Sequence, residues 1–319
     1  MQCLHHVADG PAFRRNENQT RQRETKHYDV LTMSVPETDF NREKQWWDAK
    51  AEKEDRDSAD EAINRALRWR EIERHLQGVT TVLDVGAATG AFSIPLAKRG
   101  FAVTHLDFSL AMLKIARERA NDAANIQFVE GNSADLRRFA DRSFDLVLNM
   151  DGAISFCGSE ARGAIRETCR VARQTVILTV SHRAQMIASW TSSSLFKTGK
   201  LVPAVEAMLS RGEWHQDQFP DNEALTEGLT QNYLGSLKAF TPGELQSALE
   251  NCGMKVLRCS GLGSLAALCT PEAIQRAVND EVVFKEFLSR CEQFDRDILP
   301  DGPGTRQRAG LIAVARRLD

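Results

Sequence analysis

The residue run best suited to bind a charged ligand is Val82-Leu83-Asp84-Val85-Gly86-Ala87-Ala88-Thr89-Gly90. An apolar strand leads there into a turn of small residues and then a helix, so a ligand can lie against bare backbone near the helix amides. Dinucleotide-binding folds use similar turns, and the glycines alone do not distinguish the ligands. Asp84 stands where those folds place an apolar residue beside a pyrophosphate. Its carboxylate therefore favours a ligand that carries an ammonium group.

A second carboxylate follows the next apolar run. Asp107 ends the predicted second strand, where its side chain can accept both hydroxyls of a ribose. The alternative role for Asp107 is to cap the following helix, although Ser109 can supply that cap. NAD-dependent enzymes bind ribose in the same way, so an NAD-dependent oxidoreductase remains an open alternative at this point.

The residues from Val82 to Val180 resemble the core of class I S-adenosylmethionine-dependent methyltransferases of the small-molecule type. Their first motif is Asp/Glu-x-Gly-x-Gly-x-Gly, which Asp84, Gly86 and Gly90 match, while Ala88 replaces its middle glycine. The resemblance implies S-adenosylmethionine as the cofactor.

The same resemblance implies further cofactor contacts. In this family a Gly-Asp-Ala segment after the third strand recognises adenine, and here Asn132 stands in place of the aspartate. The amide oxygen of asparagine can still accept from the exocyclic amine, but without a charge. The predicted cofactor-binding residues are Asp84, Gly86, Ala88, Gly90, Asp107, Phe108, Met112, Asn132, Ser133 and Asn149.

The segment after the fourth predicted strand indicates the substrate class. Amino-methylating DNA enzymes carry Asn/Asp-Pro-Pro-Tyr there, whereas this chain has Asn149-Met150-Asp151-Gly152. A formal net charge of -3 gives no overall positive field that would attract nucleic acid or an anionic membrane. We therefore expect a small-molecule methyl acceptor as the partner, with no nucleic acid and no membrane. Asp151 faces the cofactor or the acceptor in this interpretation and is one catalytic candidate; its alternative is a loop that only packs.

His182 is the other catalytic candidate. It directly follows the predicted fifth strand, at the edge where open α/β sheets bind ligands. Imidazole is the natural base near neutral pH for an acceptor that must lose a proton. A structural role is the alternative. No histidine or cysteine pair has the spacing of metal ligands, so the sequence predicts no metal site.

Short apolar runs from Thr80 onward alternate with helical segments, as is typical of a parallel sheet with crossover helices. The resemblance implies an α/β fold with a doubly wound, seven-stranded, mostly parallel sheet (a Rossmann-like methyltransferase fold) whose last strand is antiparallel. The predicted strands are 81–85, 102–106, 126–130, 144–149, 175–180, 254–259 and 310–316.

The remaining segments frame this core. Residues 1–40 are polar and aperiodic, which predicts a disordered extension ahead of a methyltransferase domain at 41–319. Residues 41–77 predict two amphipathic helices, in which Trp46 and Trp47 either pack or form a flap over the cofactor. The insertion 181–240 predicts a helical cap, with an oligomer contact as its alternative. The candidate acceptor-binding residues in the cap are Trp190, Trp214, His215 and Tyr233.

Seven scattered cysteines and a charged start to the chain favour a cytoplasmic protein with reduced thiols. The functional hypothesis is methyl transfer from S-adenosylmethionine to an oxygen, nitrogen or carbon of a small organic acceptor. Its rivals are the NAD-dependent oxidoreductase and a non-catalytic binding protein with a methyltransferase fold. The acceptor, the methylated atom and the oligomeric state do not follow from the sequence.

Overall fold

The computed structural model describes residues 34–55, 58–121, 123–201, 203–215, 235–306 and 309–318. Its centre is a seven-stranded sheet with the strand order β3-β2-β1-β4-β5-β9-β8, beside a separate β6-β7 pair. The strands are β1 Thr81–Val85, β2 Ala102–Asp107, β3 Ile126–Glu130, β4 Phe144–Asn149, β5 Ala172–Val180, β6 Glu213–His215, β7 Ser236–Lys238, β8 Met254–Gly261 and β9 Leu311–Arg317.

The sheet confirms the predicted fold class. Strands β1 to β5 pair in parallel, and β9 runs antiparallel to both of its neighbours, β5 and β8. Strand β5 begins three residues earlier than the sequence predicts, because α5 ends at Val171 and Ala172 is already extended. Each of the seven predicted strands forms. The apolar signal is strongest in β1, β4 and β5, which are parallel and almost wholly buried.

Helices cover both faces of this sheet. Their bounds are α1 Phe40–Asp48, α2 Ala59–Arg74, α3 Ser93–Lys98, α4 Leu110–Ala120, α5 Ala161–Val171, α6 Arg183–Thr198, α7 Pro203–Ser210, α8 Pro242–Glu250, α9 Ser264–Leu268, α10 Pro271–Val278 and α11 Glu281–Asp297. Short 3₁₀ segments lie at Ala51–Lys53 and Ser155–Glu160. Local signals set the helix starts: Ser58 caps α2, and Thr241 forms a capping box with Glu244 at α8.

The alternating side-chain directions along β1 determine which face of the sheet Asp84 lies on. Leu83 and Val85 belong to the apolar cluster under α5 and α8, whereas Val82 belongs to the cluster that contains Ile63 and Leu67 of α2. Successive side chains of a strand point to opposite faces. Asp84 therefore lies on the same face as Val82, towards α2.

The packed domain begins before residue 41, which moves the expected boundary of the N-terminal extension. Thr38 is buried, and its hydroxyl donates to the carbonyl of Cys157 at 2.8 Å. Phe40 begins α1 and packs against the core. The predicted extension up to residue 33 lies outside the described residues.

The insertion 181–240 holds α6, α7 and the β6-β7 pair, and residues 216–234 lie outside the described part. A third apolar cluster joins this insertion to α1 and to the segment after β4; it includes Trp47, Met112, Phe156, Trp190 and Trp214. The insertion is thus anchored on the carboxyl edge of the sheet. Within the described ranges, the helices are too short or too polar to span a bilayer.

Candidate functional site

Two adjoining cavities open at the carboxyl ends of β1, β2 and β4. The first, of about 620 Å³, is lined by Phe40, Trp47, Glu54, Gly86, Ala88, Asp107, Phe108, Met112, Gly131, Asn132, Ser133, Met150, Asp151, Ala153, Phe156 and Cys157. The second, of about 580 Å³, is lined by Glu54, Asp55, Glu61, Arg65, Asp84, Gly86, Ala87, Ala88, Thr89, Ala91, Phe92, Met150, Asp151 and Ala309. The turn after β1 lines both cavities, so one elongated ligand can occupy the two together.

Asp84 supplies an unsatisfied charge to the second cavity. Its side chain is 1% exposed, and neither carboxylate oxygen has a hydrogen-bond partner among the described residues. Burial, and then the negative charge of Asp151, raise the pKa of Asp84 well above its usual value, to about 7. The N–H and hydroxyl of Ser93 lie near enough to lower this pKa, although neither meets the geometry of a hydrogen bond to the carboxylate. A buried carboxylate without partners is costly, and a cationic ligand group would remove that cost.

The turn after β1 leaves its backbone bare because a side chain would not fit there. Gly86 has φ +66°, and a Cβ at this position would lie 2.4 Å from the Cβ of Ala153. Gly90 has φ +92°, and a Cβ there would meet Ile94 at 2.4 Å. Gly86 lines both cavities, but Gly90 lines neither. Gly90 therefore allows the close packing of α3, and its contact with the cofactor stays a prediction.

Asp107 joins two loops and still faces the first cavity. One carboxylate oxygen accepts from the backbone N–H of Ala88 and the other from that of Ser109, each at 2.8 Å. Each oxygen keeps a lone pair for a further donor. Burial raises the pKa of Asp107 to about 6. Ser109 caps α4 by accepting from the N–H of Met112, so Asp107 is not needed for that role.

The remaining predicted cofactor residues divide into two groups. Phe108, Met112, Asn132 and Ser133 line the first cavity. The side-chain oxygen of Asn132 also accepts from the N–H of Ala134 at 2.9 Å, which fixes the turn after β3. Asn149 is fully buried, donates to the hydroxyl of Thr168 on α5 at 3.3 Å, and lines neither cavity, so its contact with the cofactor stays a prediction.

Of the two catalytic candidates, the structure brings only Asp151 to the cavities. Asp151 lines both of them and accepts a hydrogen bond from Arg68. His182 lines neither; its Nδ1 caps α6 by accepting from the N–H of Ala184 at 3.1 Å. Burial lowers the pKa of His182 to about 4. The ring thus uses Nδ1 to start a helix, while Nε2 has no hydrogen-bond partner among the described residues; the assignment of His182 as the base stays a prediction.

The aromatic candidates of the insertion form its core. Trp190 and Trp214 are buried and meet edge to face, with ring centroids 5.5 Å apart. His215 is also buried, and none of the three lines either cavity. A small helical unit needs large side chains to fill its own interior, and the assignment of these three residues to the acceptor stays a prediction. Tyr233 lies outside the described residues.

The N-terminal segment contributes residues that the motifs did not indicate. Phe40, Trp47 and Glu54 line the first cavity, and Trp47 meets Phe156 edge to face at 5.1 Å. The flap role considered for the tryptophan pair is thus compatible with the position of Trp47. No local pattern points to Phe40 or Glu54, because they reach the cavity only when α1 folds across the sheet.

Two carboxylates attach this N-terminal segment to the loops that carry the motifs. Asp48 accepts from the hydroxyl of Ser109 at 2.5 Å and from the N–H of Ala111 at 3.1 Å. Asp55 accepts from the hydroxyl of Thr89 at 3.1 Å. The segment therefore binds to the turn after β1 and to the turn after β2. Within the described part of the chain, no group of three or more metal-ligating side chains is present.

Comparison with known proteins agrees with this architecture. Residues 82–175 match the family model of a methyltransferase domain. The demethylmenaquinone methyltransferase of Renibacterium salmoninarum is 36% identical over 127 residues, which cover 38% of this chain and 51% of that protein. The corresponding enzyme of Paenarthrobacter aurescens is 32% identical over 155 residues, covering 47% and 58%. The chain thus spans about half the length of the curated relatives it matches.

Solved structures extend the likeness to most of the chain. The [4+2]-cyclase SpnF is 18% identical with a TM-score of 0.52 and covers 89% of this chain and 98% of that one. The magnesium protoporphyrin IX methyltransferase of Synechocystis PCC 6803, with bound SAH, is 16% identical with a TM-score of 0.51, covering 88% and 100%. At these identities the likeness concerns the fold. Residues 82–175 thus match a methyltransferase domain, and the chain shares its fold with these solved structures.

Proposed function

We propose that this protein transfers a methyl group from S-adenosylmethionine to an oxygen, nitrogen or carbon of a small organic acceptor. The observation that carries the proposal is the buried, unpaired carboxylate of Asp84 in the cavity next to the one that Asp107 faces. A ligand that satisfies both residues needs a cationic end and neighbouring hydroxyl groups. The curated relatives, named as methyltransferases of demethylmenaquinone, support the same class of reaction on a small molecule.

The residues present fit S-adenosylmethionine along its length. Asp84 would accept from the ammonium group of the methionine part, and Asp107 from the ribose hydroxyls. Phe108 and Met112 offer apolar surface to adenine, while Asn132 and Ser133 offer polar atoms at its edge. Gly86 allows the ligand to cross the turn between the cavities against bare backbone.

The cofactor, when bound, supplies a methyl group on a sulfonium, which is already an activated leaving group. The protein then has to align the acceptor with that methyl and keep water away. Trp47, Met150 and Phe156 provide apolar walls for this purpose. Asp151, which borders both cavities, is the side chain available to orient the acceptor or to receive its proton.

The cellular compartment of the protein is part of the same proposal. The six cysteines within the described ranges are all free thiols. Free thiols suit a reducing compartment, and we propose the cytoplasm.

Titration calorimetry of the full chain with S-adenosylmethionine, S-adenosylhomocysteine and NAD tests the cofactor. We expect both adenosyl ligands to bind, and Asp84→Asn to weaken S-adenosylmethionine. Preferential binding of NAD would contradict the proposal.

Turnover with a panel of phenols, amines and acidic carbon compounds then tests catalysis. Cofactor binding without transfer to any of them would favour a non-catalytic protein of this fold.

A further inference from the structure

Arg68 on α2 is a buried cation that reaches the turn after β4. Its side chain is 1% exposed, and its guanidinium donates to Asp151 and to Glu61, the latter at 3.4 Å. The guanidinium carbon also lies 5.4 Å from the ring centroid of Phe92. Its Nε has no partner among the described residues. Removing a charged guanidinium from water costs free energy, which is offset only if the group makes good contacts inside the protein. Asp151 is the closest of these contacts for Arg68.

The turn that carries Asp151 is unusual in its backbone. Asp151 has φ +56°, and the next residue, Gly152, has φ +80°. Residues other than glycine adopt such values in a small minority of cases. This conformation turns the Asp151 side chain to the border of the two cavities, where it is 41% exposed. Without its ion pair, so exposed a carboxylate would be free to rotate into water.

The position of Asp151 indicates which part of the ligand would lie next to this ion pair. Asp107 lies in the cavity on one side of the border and Asp84 in the cavity on the other. A ligand with its ribose at Asp107 and its ammonium at Asp84 must place the atoms that join these two parts at the border. In S-adenosylmethionine the joining atom is the sulfonium sulfur.

We propose that Arg68 is a positioning residue, which holds the Asp151 carboxylate at the border of the two cavities so that it faces the sulfonium. This inference rests on the proposed function. It assigns the pair a selective effect, because a carboxylate attracts the sulfonium of S-adenosylmethionine and not the neutral sulfur of S-adenosylhomocysteine. A guanidinium holds its N–H donors in one fixed plane, so Arg68 can meet Asp151 through one nitrogen and Glu61 through another, which an ammonium group does less well.

Calorimetry with both ligands tests the selectivity in full-length protein. We expect Asp151→Asn and Arg68→Met each to weaken S-adenosylmethionine about tenfold, which corresponds to about 1.4 kcal/mol, and to change S-adenosylhomocysteine by less than about twofold. Arg68→Lys should lose less affinity for S-adenosylmethionine than Arg68→Met. The double variant should lose no more affinity for S-adenosylmethionine than either single variant, because the two residues act as a unit. Arg70→Met is the matched control: Arg70 lies on the same helix and pairs with Glu292 at 3.0 Å, away from the cavities.

Three outcomes would overturn the inference: equal weakening of both ligands, additive losses in the double variant, or a loss in Arg70→Met as large as in Arg68→Met. If Arg68→Met does not fold, Arg68→Lys and Asp151→Asn carry the same comparison. A double-mutant cycle on the free energy of unfolding tests the ion pair without any ligand, and absence of coupling there also overturns the inference. If the parent protein binds neither ligand, the proposed function fails, while the cycle still reports on the pair.

Discussion

The turns after β1 and β2 and the insertion between β5 and β8 place polar side chains at the same edge of the sheet, but they use them differently. In the turns, Asp84 has no protein partner and faces a cavity, and Asp107 holds two loops while it still faces a cavity. In the insertion, His182 caps a helix and Trp190 fills a core. Nε2 of His182 is also buried without a hydrogen-bond partner among the described residues, but His182 lines neither cavity. A polar residue at the sheet edge therefore points to ligand binding when its unused hydrogen-bonding capacity faces a cavity, as that of Asp84 and Asp107 does.

The largest effect that would test this contrast is expected at Gly86. In Gly86→Ala the new Cβ would lie 2.4 Å from that of Ala153, in a turn with φ +66°. Left-handed strain and overpacking together cost about 2 to 5 kcal/mol, so we expect S-adenosylmethionine affinity to fall about a hundredfold and the melting temperature to drop. Calorimetry and thermal unfolding measure both. The same substitution at Gly243, which has open space and no positive φ, is the control. Parent-like affinity in Gly86→Ala would show that the turn does not touch the ligand.

Removal of the ribose acceptor should have the next largest effect. Asp107→Ala is expected to weaken S-adenosylmethionine by about 1 to 3 kcal/mol, since two hydroxyls lose a charged acceptor. Asp135→Ala serves as the control, because that carboxylate follows β3 but pairs with exposed Arg137. Equal affinity of Asp107→Ala and the parent would take Asp107 out of the binding site.

The pH dependence of cofactor binding tests the same comparison, because affinity should follow the ionisation of the Asp84 carboxyl. The pKa of this buried carboxyl is about 7, so below pH 7 it is mostly neutral and cannot pair with an ammonium group. We expect S-adenosylmethionine affinity to rise about tenfold between pH 6 and 7.5. The range ends there because an α-amino group is half deprotonated near pH 7.7 to 8.0.

In Asp84→Asn this rise should disappear, with weaker binding at every pH in the range. Calorimetry in buffers of different ionisation enthalpy would also detect the proton released on binding. A parent protein whose affinity stays constant across the range would show that Asp84 is already ionised, or that it does not contact the cofactor.

The smallest effect is expected in the insertion. His182→Ala removes the cap of α6, so we expect a loss of about 0.5 to 2 kcal/mol in the free energy of unfolding and unchanged cofactor affinity. Denaturant unfolding and calorimetry measure these quantities. If turnover fell a hundredfold at unchanged stability, His182 would be the general base after all, and the contrast between the two regions would break.

Much of the sheet could be predicted because its signals are local. Strands β1, β4 and β5 are short, mostly apolar runs, and the turn after β1 lies within seven consecutive residues, Asp84 to Gly90. The helices from Ser264 to Asp297 were not predicted, although Thr270-Pro271 and Asp280 mark two of their starts. Their apolar faces become recognisable only against α2, on which α10 and α11 pack.

The sequence by itself determined the order of the core elements and the two carboxylates, Asp84 and Asp107, because strand, turn and ligand-facing residue are contiguous in the chain. Only the tertiary structure decided that Phe40 and Trp47 line the cavity, that His182 and Trp190 do not, and that Arg68 meets Asp151 across 83 positions. Contacts at such separations depend on how α1, α2 and the insertion pack on the sheet. That packing follows the burial of apolar faces that many different partners could cover, so no local pattern specifies it.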